Sequence, residues 1–239
     1  MKVHPSIHKI SDTRVTQQSY EATHTADCAI FGFSEDQLQI LLVKRDIEPY
    51  KGNWMLPGGL LDEGQSLEQA AAKTLDDLLG LRSIQIRQIK TYSDIHRHPI
   101  KRVITTSFYA LVKPESLRFQ AQGYLSDAQW QTVSSINGLG FDHSEILRDA
   151  IYKLRQDVVF NPYGFELLPE KFTLKELQDL YEGILGEELD RRNFRRKVQA
   201  LNLVTETSEK KTGVKGGPTL FVANTNLTSY NPLSTKRNN

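Results

Sequence analysis

Cysteine is nearly absent from this sequence, which has only Cys28 among its 239 residues. A disulfide framework is therefore excluded, and we expect the protein to fold in a reducing cytoplasm. Cys28 lies in an apolar run, where a small buried hydrophobic residue is a better interpretation than a nucleophile. The sequence also lacks any apolar run near the roughly 20 residues that span a bilayer. Its N-terminal segment has no signal-peptide core, so we expect neither a membrane anchor nor export.

Net charge is also small, at +1 from 30 basic and 29 acidic side chains. No global field therefore favours nucleic acid or a membrane, and any basic surface must be local. The composition, 38% hydrophobic and 25% charged, is typical of globular proteins rather than disordered ones. A chain of 239 residues is long for one domain, which favours two.

The first part of the chain combines strand and helix patterns. One helix is predicted from the capping box of Ser66 and Gln69 to a stop at Gly80. A second helix, predicted over 142–156, has apolar residues at helical spacing. Strands rich in β-branched and aromatic residues are predicted over 26–33, 38–43, 84–92 and 102–112. These elements indicate an α/β domain.

The last third of the chain has a different pattern. Thr173 and Glu176 form a capping box that opens one helix, Gly186 ends that helix, and Asp190 caps another. Strand-like runs then flank a loop rich in glycine and lysine, over 203–207 and 219–223. Helix, tight turn, helix and hairpin is the order of a winged helix-turn-helix.

A linker is predicted between these two parts, in the turn-rich cluster at 161–164. We therefore expect four segments along the chain. They are an N-terminal tail (1–20), an effector-binding domain (21–158), a winged helix domain (159–226) and a flexible C-terminal tail (227–239).

The segment 54–59 and the helix after it resemble the Nudix box, G-x5-E-x7-R-E-U-x-E-E-x-G-U, where U is a bulky aliphatic residue. In that family, carboxylates of the box hold magnesium against a substrate diphosphate. Counted from Gly59, the frame is kept through Gly80 and Leu81. The family's four carboxylate positions, however, carry Gln65, Thr74, Asp77 and Leu78, and its Arg position carries Lys73. Only one carboxylate remains at those positions, so we expect no catalytic and no metal-binding residues.

Such a domain could still bind a nucleotide. Gly58 and Gly59 would let backbone amides approach phosphate closely, and Arg45 could bind phosphate through two nitrogens. Trp54 is as consistent with a core residue as with stacking on a base. The candidate effector-binding residues are Arg45, Trp54, Gly58, Gly59, Lys73, Arg97, Arg102 and His143.

The second helix of the C-terminal part has a basic face. Phe194, Val198 and Leu201 define its buried side, and arginines follow helical spacing on the opposite side. An ordinary solvated helix mixes charges of both signs, yet this one contains no acidic residue. Arginine suits guanine edges and phosphates, and the lysines of the following loop suit a phosphate backbone. The candidate DNA-binding residues are Thr173, Arg191, Arg192, Asn193, Arg195, Arg196, Gln199, Lys210, Lys211 and Lys215.

Taken as a whole, the chain resembles the Nudix-related transcriptional regulators known as NrtR. The matching stretches are 54–59, the degenerate box, 140–143, 165–173 and 191–197. The resemblance implies an α+β Nudix sandwich joined to a winged helix-turn-helix. It also implies a homodimer that represses NAD-metabolism genes from a palindromic operator in double-stranded DNA. The Nudix domain would sense ADP-ribose or a related nucleotide and require no cofactor, although some branches of the family sense sugars.

Other functions compete with this one. A pyrophosphatase acting on ADP-ribose would need unorthodox magnesium ligands from Glu63, Glu68, Asp76 and Asp77. A winged helix that binds protein would not need the basic face. The dipeptide Asp142–His143 has no nucleophile in view, so helix capping by Asp142 is a better interpretation than acid–base catalysis. The sequence leaves open the effector, the role of Mg²⁺, the operator and the dimer geometry.

Overall fold

The computed structural model describes residues 21–119, 123–160, 164–213 and 215–224. The strands of the first domain are β1 (Thr23–Ser34), β2 (Gln37–Arg45), β3 (Trp54–Met55), β4 (Gly58–Leu60), β5 (Ile86–Tyr92), β6 (Val103–Leu111) and β7 (Leu125–Thr132). Its helices are α1 (Leu67–Leu79) and α2 (His143–Phe160). The second domain consists of α3 (Leu174–Leu185), α4 (Arg191–Ala200), β8 (Val204–Lys210) and β9 (Thr219–Ala223). None of the helices among the described residues combines the length and the apolar character that a bilayer-spanning helix needs.

Strand β1 lies at the centre of the first domain and is buried on both faces. It belongs to a mixed sheet ordered β3-β2-β1-β6-β5, in which β4 also pairs with β1 and β7 with β2. Cys28 and Ile30 pack on the side covered by α1, whereas Ala29 and Phe31 pack on the side covered by α2. Because side chains alternate across a strand, helices on both faces explain the continuous apolar run in the sequence. The predicted fold class is confirmed.

The helices begin and end at the predicted capping residues. Ser66 Oγ accepts the N–H of Gln69 at 3.2 Å, and the Gln69 side chain accepts the N–H of Ser66 at 2.8 Å. Thr173 and Glu176 form the same box at the start of α3. Gly186 ends α3 at φ 74°, in left-handed backbone that glycine adopts without strain. These predicted helix ends are confirmed.

Strand β7 is an element that the sequence pattern does not indicate. Its residues, LSDAQWQT, are mostly polar, and only the first is buried. It pairs antiparallel with β2, so that Gln39 and Thr132 lie opposite each other and their side chains bond at 3.2 Å. These two residues are 93 positions apart in the chain. The position of β7 therefore depends on long-range backbone pairing and not on a local apolar pattern.

The two domains share one hydrophobic core. A single cluster of buried residues extends from Phe31 of β1 to Leu177 of α3. Gly183 of α3 lies so close to the β1–β2 hairpin that a Cβ atom there would be 2.6 Å from the Phe33 ring. The winged helix is therefore packed against the first domain. The predicted linker lies mostly outside the described residues, as do both predicted tails.

Candidate functional site

A cavity of about 290 Å³ lies in the first domain, where β1, β4 and the start of α2 meet. Its volume is near the lower limit for small-molecule sites. The predicted residues that line it are Arg45, Gly58, Gly59, Arg97 and His143. It is also lined by residues that were not among the candidates: Asp27, His98, Lys101, Tyr124 and Phe141. The lining comes from separate segments of the chain, which only the fold brings together.

Close packing of β4 explains why Gly58 and Gly59 are glycines. A Cβ atom at Gly58 would lie 2.0 Å from Asp27 Oδ1, and one at Gly59 would lie 2.1 Å from Thr74 Oγ1. A side chain at either position would therefore displace its neighbour. The Gly58 carbonyl also accepts a hydrogen bond from the Tyr124 hydroxyl. Burial raises the pKa of Tyr124 to about 12, so this hydroxyl remains a donor at physiological pH.

Arg97 is at the centre of a buried ion-pair network on one wall of the cavity. Its side chain is 5% exposed, and its Nε and Nη2 donate to the two carboxylate oxygens of Asp142, each at 2.8 Å. Nη2 also lies 3.5 Å from Asp27 Oδ2. A bidentate pair holds the guanidinium in one orientation. Asp142 directly precedes α2, and its main-chain carbonyl accepts the N–H of Ile146 at 3.2 Å, while Arg97 bonds to both of its carboxylate oxygens.

His143, the first residue of α2, lies behind the cavity in a neutral form. Its Nδ1 accepts the N–H of Leu56 at 3.0 Å, which leaves the ring proton on Nε2. Nε2 faces Asp27 Oδ2 at 3.8 Å. Burial lowers the pKa of His143, against the opposing effect of the Asp27 carboxylate. At physiological pH, His143 therefore holds the backbone at Leu56 and does not act as a charged ligand.

Arg45 lies between two aromatic rings at the cavity. Its guanidinium carbon is 5.4 Å from the ring centroids of both Tyr124 and Phe141. Its Nε donates to the Pro49 carbonyl at 2.7 Å, and burial lowers the pKa of Arg45. Phe141 also stacks on His98, with ring centroids 5.3 Å apart. Cations beside flat aromatic surfaces suit a ligand that contains phosphates and a base.

Three of the predicted effector residues lie away from this cavity. Trp54 packs against the hydrophobic core. Lys73 is exposed on α1 and pairs with Asp77 at 3.0 Å. Arg102 donates to the Asp94 carbonyl at 3.0 Å. None of the three lines the cavity.

Two carboxylates of the segment that resembles the Nudix box pair with basic side chains. Among the described residues, no group of three or more His, Cys, Asp or Glu side chains could hold a metal ion. Asp76 pairs with Arg82 at 2.9 Å, and Asp77 pairs with Lys73 at 3.0 Å. Magnesium prefers near-octahedral oxygen ligands, whereas these two carboxylates bond to the exposed side chains of Lys73 on α1 and Arg82 beyond its end.

In the second domain, α4 has a basic face toward solvent. Phe194 and Val198 are buried on its inner side, and Asp190 Oδ1 accepts the N–H of Asn193 at 2.8 Å. Arg195 is only partly exposed, and its buried Nε has no hydrogen-bond partner among the described residues. The exposed residues of the outer face are Arg191, Arg192, Asn193, Arg196, Lys197 and Gln199. This face is free to contact a polyanion.

Of the three lysines predicted to contact DNA from the following hairpin, one is held in an ion pair. β8 extends to Lys210, which lies at the end of a strand and not in the loop. Lys211 Nζ bonds to Glu176 at 2.6 Å, so its charge supports the start of α3. Lys215 is exposed in the loop. Thr173 is buried and its hydroxyl serves the capping box, which corrects its assignment as a DNA contact.

Comparison with protein families and characterised proteins gives matches in both domains. Residues 23–150 match the NUDIX domain, and residues 164–222 match the NrtR DNA-binding winged helix domain. An ADPR responsive transcriptional repressor, NtrR, from Acinetobacter baylyi is 33% identical over 201 residues, which cover 82% of this chain and 80% of the relative. An ADP-ribose pyrophosphatase from Methanocaldococcus jannaschii is 31% identical over 121 residues, which cover 51% of this chain and 70% of the relative.

Solved structures of NrtR from Shewanella oneidensis are similar to this chain through both domains. One is 30% identical with a TM-score of 0.75 and covers 87% of this chain and 96% of its own. The same protein complexed with a 27mer DNA is 30% identical with a TM-score of 0.75, and the match covers 86% of this chain and 95% of the solved chain. Its NUDIX domain complexed with ADP ribose is 27% identical with a TM-score of 0.53, and the match covers 59% of this chain and 94% of the solved chain.

Proposed function

The chain belongs to the NrtR family, which joins a Nudix domain to a winged helix, and we propose that it represses transcription in response to ADP-ribose. The Acinetobacter relative is an ADPR responsive repressor, and the Shewanella relative has been solved with DNA and with ADP ribose. The observation that carries the proposal is the exposed basic face of α4, a helix without acidic residues. The same chain has a cavity lined by cations and aromatic rings. We further propose a cytoplasmic location and control of NAD-metabolism genes.

The face of α4 supports the DNA-binding half of this proposal. Cations crowded on one helix repel each other, and phosphates that bind there relieve the repulsion. In winged helix and related folds, the N-terminal residues of the recognition helix contact base edges. Arg191 and Arg192 occupy that position in α4, whereas Arg196 lies one turn further along. We propose that two copies act together on a palindromic operator, with half-sites about one helical turn of DNA apart.

The cavity supports the effector half. Arg45 and Lys101 bring positive charge to it, and Phe141 brings an aromatic surface. A neutral sugar would leave these cations without a counter-charge, so they favour a nucleotide over the sugar alternative. Because the carboxylates of the box are turned toward surface cations, we propose binding without hydrolysis and without a required cofactor.

A second candidate function is hydrolysis of ADP-ribose. It is favoured by the likeness of the first domain to the Methanocaldococcus pyrophosphatase. That activity would produce AMP and ribose 5-phosphate in the presence of magnesium. The pairing of Asp76 and Asp77 with Arg82 and Lys73 favours the sensor instead.

The proposal is tested with the purified full chain. A duplex selected from a random pool is titrated by fluorescence anisotropy, with and without ADP-ribose, and we expect ADP-ribose to raise the Kd for DNA about tenfold or more. The selected duplex should contain a palindrome. The same sample, incubated with ADP-ribose and magnesium, should leave the nucleotide intact. An unchanged Kd for DNA would contradict the sensor, and released AMP would support the hydrolase.

A pair of double variants separates specific DNA contacts from general loss of charge. Arg192→Ala with Arg196→Ala should weaken DNA binding about thirtyfold or more, since each lost contact costs roughly 1 kcal/mol or more. Lys73→Ala with Arg82→Ala removes the same charge from exposed sites on the first domain and should leave the Kd nearly unchanged. Equal Kd values for the two double variants would favour a winged helix that binds protein.

A further inference from the structure

Asp27 is a buried carboxylate in the cavity with few close hydrogen-bond donors. Its side chain is 9% exposed and lines the cavity from β1. Its nearest charged neighbours are Arg97 Nη2 at 3.5 Å and His143 Nε2 at 3.8 Å, both long for hydrogen bonds. Asp142, by contrast, has two bonds of 2.8 Å to Arg97. The Arg97 guanidinium is thus directed at Asp142. Among the described residues, the Asp27 side chain accepts one long hydrogen bond, from Arg97, which leaves acceptor positions on its carboxylate open.

Unused acceptor positions on a buried carboxylate are energetically unfavourable, because burial removes the water that would otherwise donate to them. A carboxylate accepts up to about four hydrogen bonds and donates none. Whatever fills the cavity beside Asp27 must therefore bring donors. Hydroxyl groups of a sugar are such donors, whereas a phosphate has only acceptor oxygens and a negative charge.

The charged residues of the cavity differ in their exposure. Lys101 is exposed and Arg45 is partly buried, whereas Asp27 is almost fully enclosed. A ligand with its diphosphate near the two cations would place its terminal group toward Asp27. A terminal sugar would satisfy the carboxylate there, and a terminal phosphate would be repelled by it.

We infer that Asp27 determines the specificity of the effector site, by accepting hydroxyl groups from the sugar that ends a nucleoside diphosphate ligand. The inference rests on the proposed nucleotide-binding function and adds that the site discriminates between nucleotides by their terminal group. The site takes a nucleoside diphosphate linked to a sugar and rejects the free nucleoside diphosphate. Asp27 contacts the ligand directly, while Asp142 positions Arg97.

Calorimetry on the unaltered full chain tests this without any substitution. ADP-ribose, ADP and the β-methyl ester of ADP are titrated in turn. The ester has the same terminal charge as ADP-ribose but lacks the sugar hydroxyls, so it separates repulsion from hydrogen bonding. We expect ADP-ribose to bind about tenfold or more tightly than the ester, and ADP to bind most weakly.

Two variants then test whether Asp27 causes the preference for ADP-ribose over ADP. The substitution Asp27→Asn should lower the affinity for ADP-ribose about tenfold or more. The affinity for ADP should stay the same or rise, because an amide does not repel phosphate. The matched control is Asp127→Asn, because Asp127 is exposed on β7. Its Oδ1 accepts the N–H of Ala128 at 2.8 Å, and the amide oxygen of Asn can accept the same bond. This control should reproduce the unaltered chain.

The outcomes are distinguishable from failure of the proposed function. No binding of ADP-ribose by the unaltered chain would overturn the effector assignment and this inference with it. Binding of ADP-ribose, ester and ADP within about threefold of each other would overturn the inference alone. If Asp27→Asn does not fold, as judged by its melting curve, the three ligands on the unaltered chain decide the matter.

Discussion

At the scale of single residues, His143 connects the chemistry of the cavity to the stability of the fold. The ring is buried at the start of α2 and accepts the N–H of Leu56 through Nδ1. Protonation of Nδ1 would break this bond and place a second donor against the amide. Burial accordingly lowers the pKa of His143 below its ordinary value near 6.5.

This environment predicts how stability depends on pH. The unfolded chain binds a proton at His143 near pH 6.5, while the folded chain resists it. The contribution of His143 is therefore complete above pH 6.5 and is lost as pH falls below it, by at most about 1.4 kcal/mol per pH unit. His143→Asn keeps an acceptor for Leu56 but does not titrate, so its unfolding free energy should fall less steeply between about pH 7 and 5. Urea unfolding measures this, with exposed His96→Asn as the control; equal slopes for all three proteins would contradict the prediction.

At the scale of elements, α4 is a short helix that depends on its cap. It has 10 residues and no acidic side chain of its own, so its arginines repel each other. Asp190 precedes it, accepts the N–H of Asn193 and places a negative charge at the positive end of the helix dipole. Packing of Phe194 and Val198 supplies the remaining support.

Removing the cap should therefore destabilise α4. Asp190→Ala loses the side-chain acceptor and should lower the free energy of unfolding by about 1 kcal/mol in urea titrations. Asp190→Asn keeps an acceptor of the same length and should cost much less, because Asn and Asp are comparable caps. A loss from Asp190→Asn as large as that from Asp190→Ala would show that the hydrogen bond to Asn193 is not the source of the effect.

At the scale of the whole molecule, the shared core connects the domain that holds the cavity to the winged helix. Helix α2 begins at the cavity with His143 and packs its later turns against α3, where Arg155 Nε donates to the Ile184 carbonyl at 2.9 Å. α3 in turn contacts the β1–β2 hairpin at Gly183. Movement of the winged helix therefore requires repacking of a continuous apolar cluster and not simply a hinge.

We expect the two domains to unfold together. Scanning calorimetry of the unaltered chain should show one transition whose calorimetric and van't Hoff enthalpies agree. Gly183→Val places a side chain against Phe33 and should lower stability by about 1–3 kcal/mol or divide the transition in two. Gly138→Val, at a glycine with nothing within 4 Å of its Cβ position, is the control and should change little. Two transitions in the unaltered chain would contradict the shared core.

The sequence by itself determined the local features of this protein. The helix boundaries at Ser66, Thr173 and Gly186 depend on residues three or four positions apart, and the basic face of α4 depends only on helical spacing. The segment that resembles the Nudix box and the basic helix α4 could be identified for the same reason. Hydrogen bonds of a cap and the period of a helix involve neighbours along the chain, and the sequence shows those neighbours directly.

Only the tertiary structure decided which residues meet at the cavity. Asp27 and Arg97 are 70 positions apart, and Arg97 and Asp142 are 45 apart. Trp54 and Arg102, which appeared equally suitable, lie outside the cavity. The sequence also did not predict the position of β7 or the packing of α3 on the first domain. Contacts of this kind depend on sheet pairing and on the burial of two surfaces against each other, and no pattern within one segment specifies its distant partner.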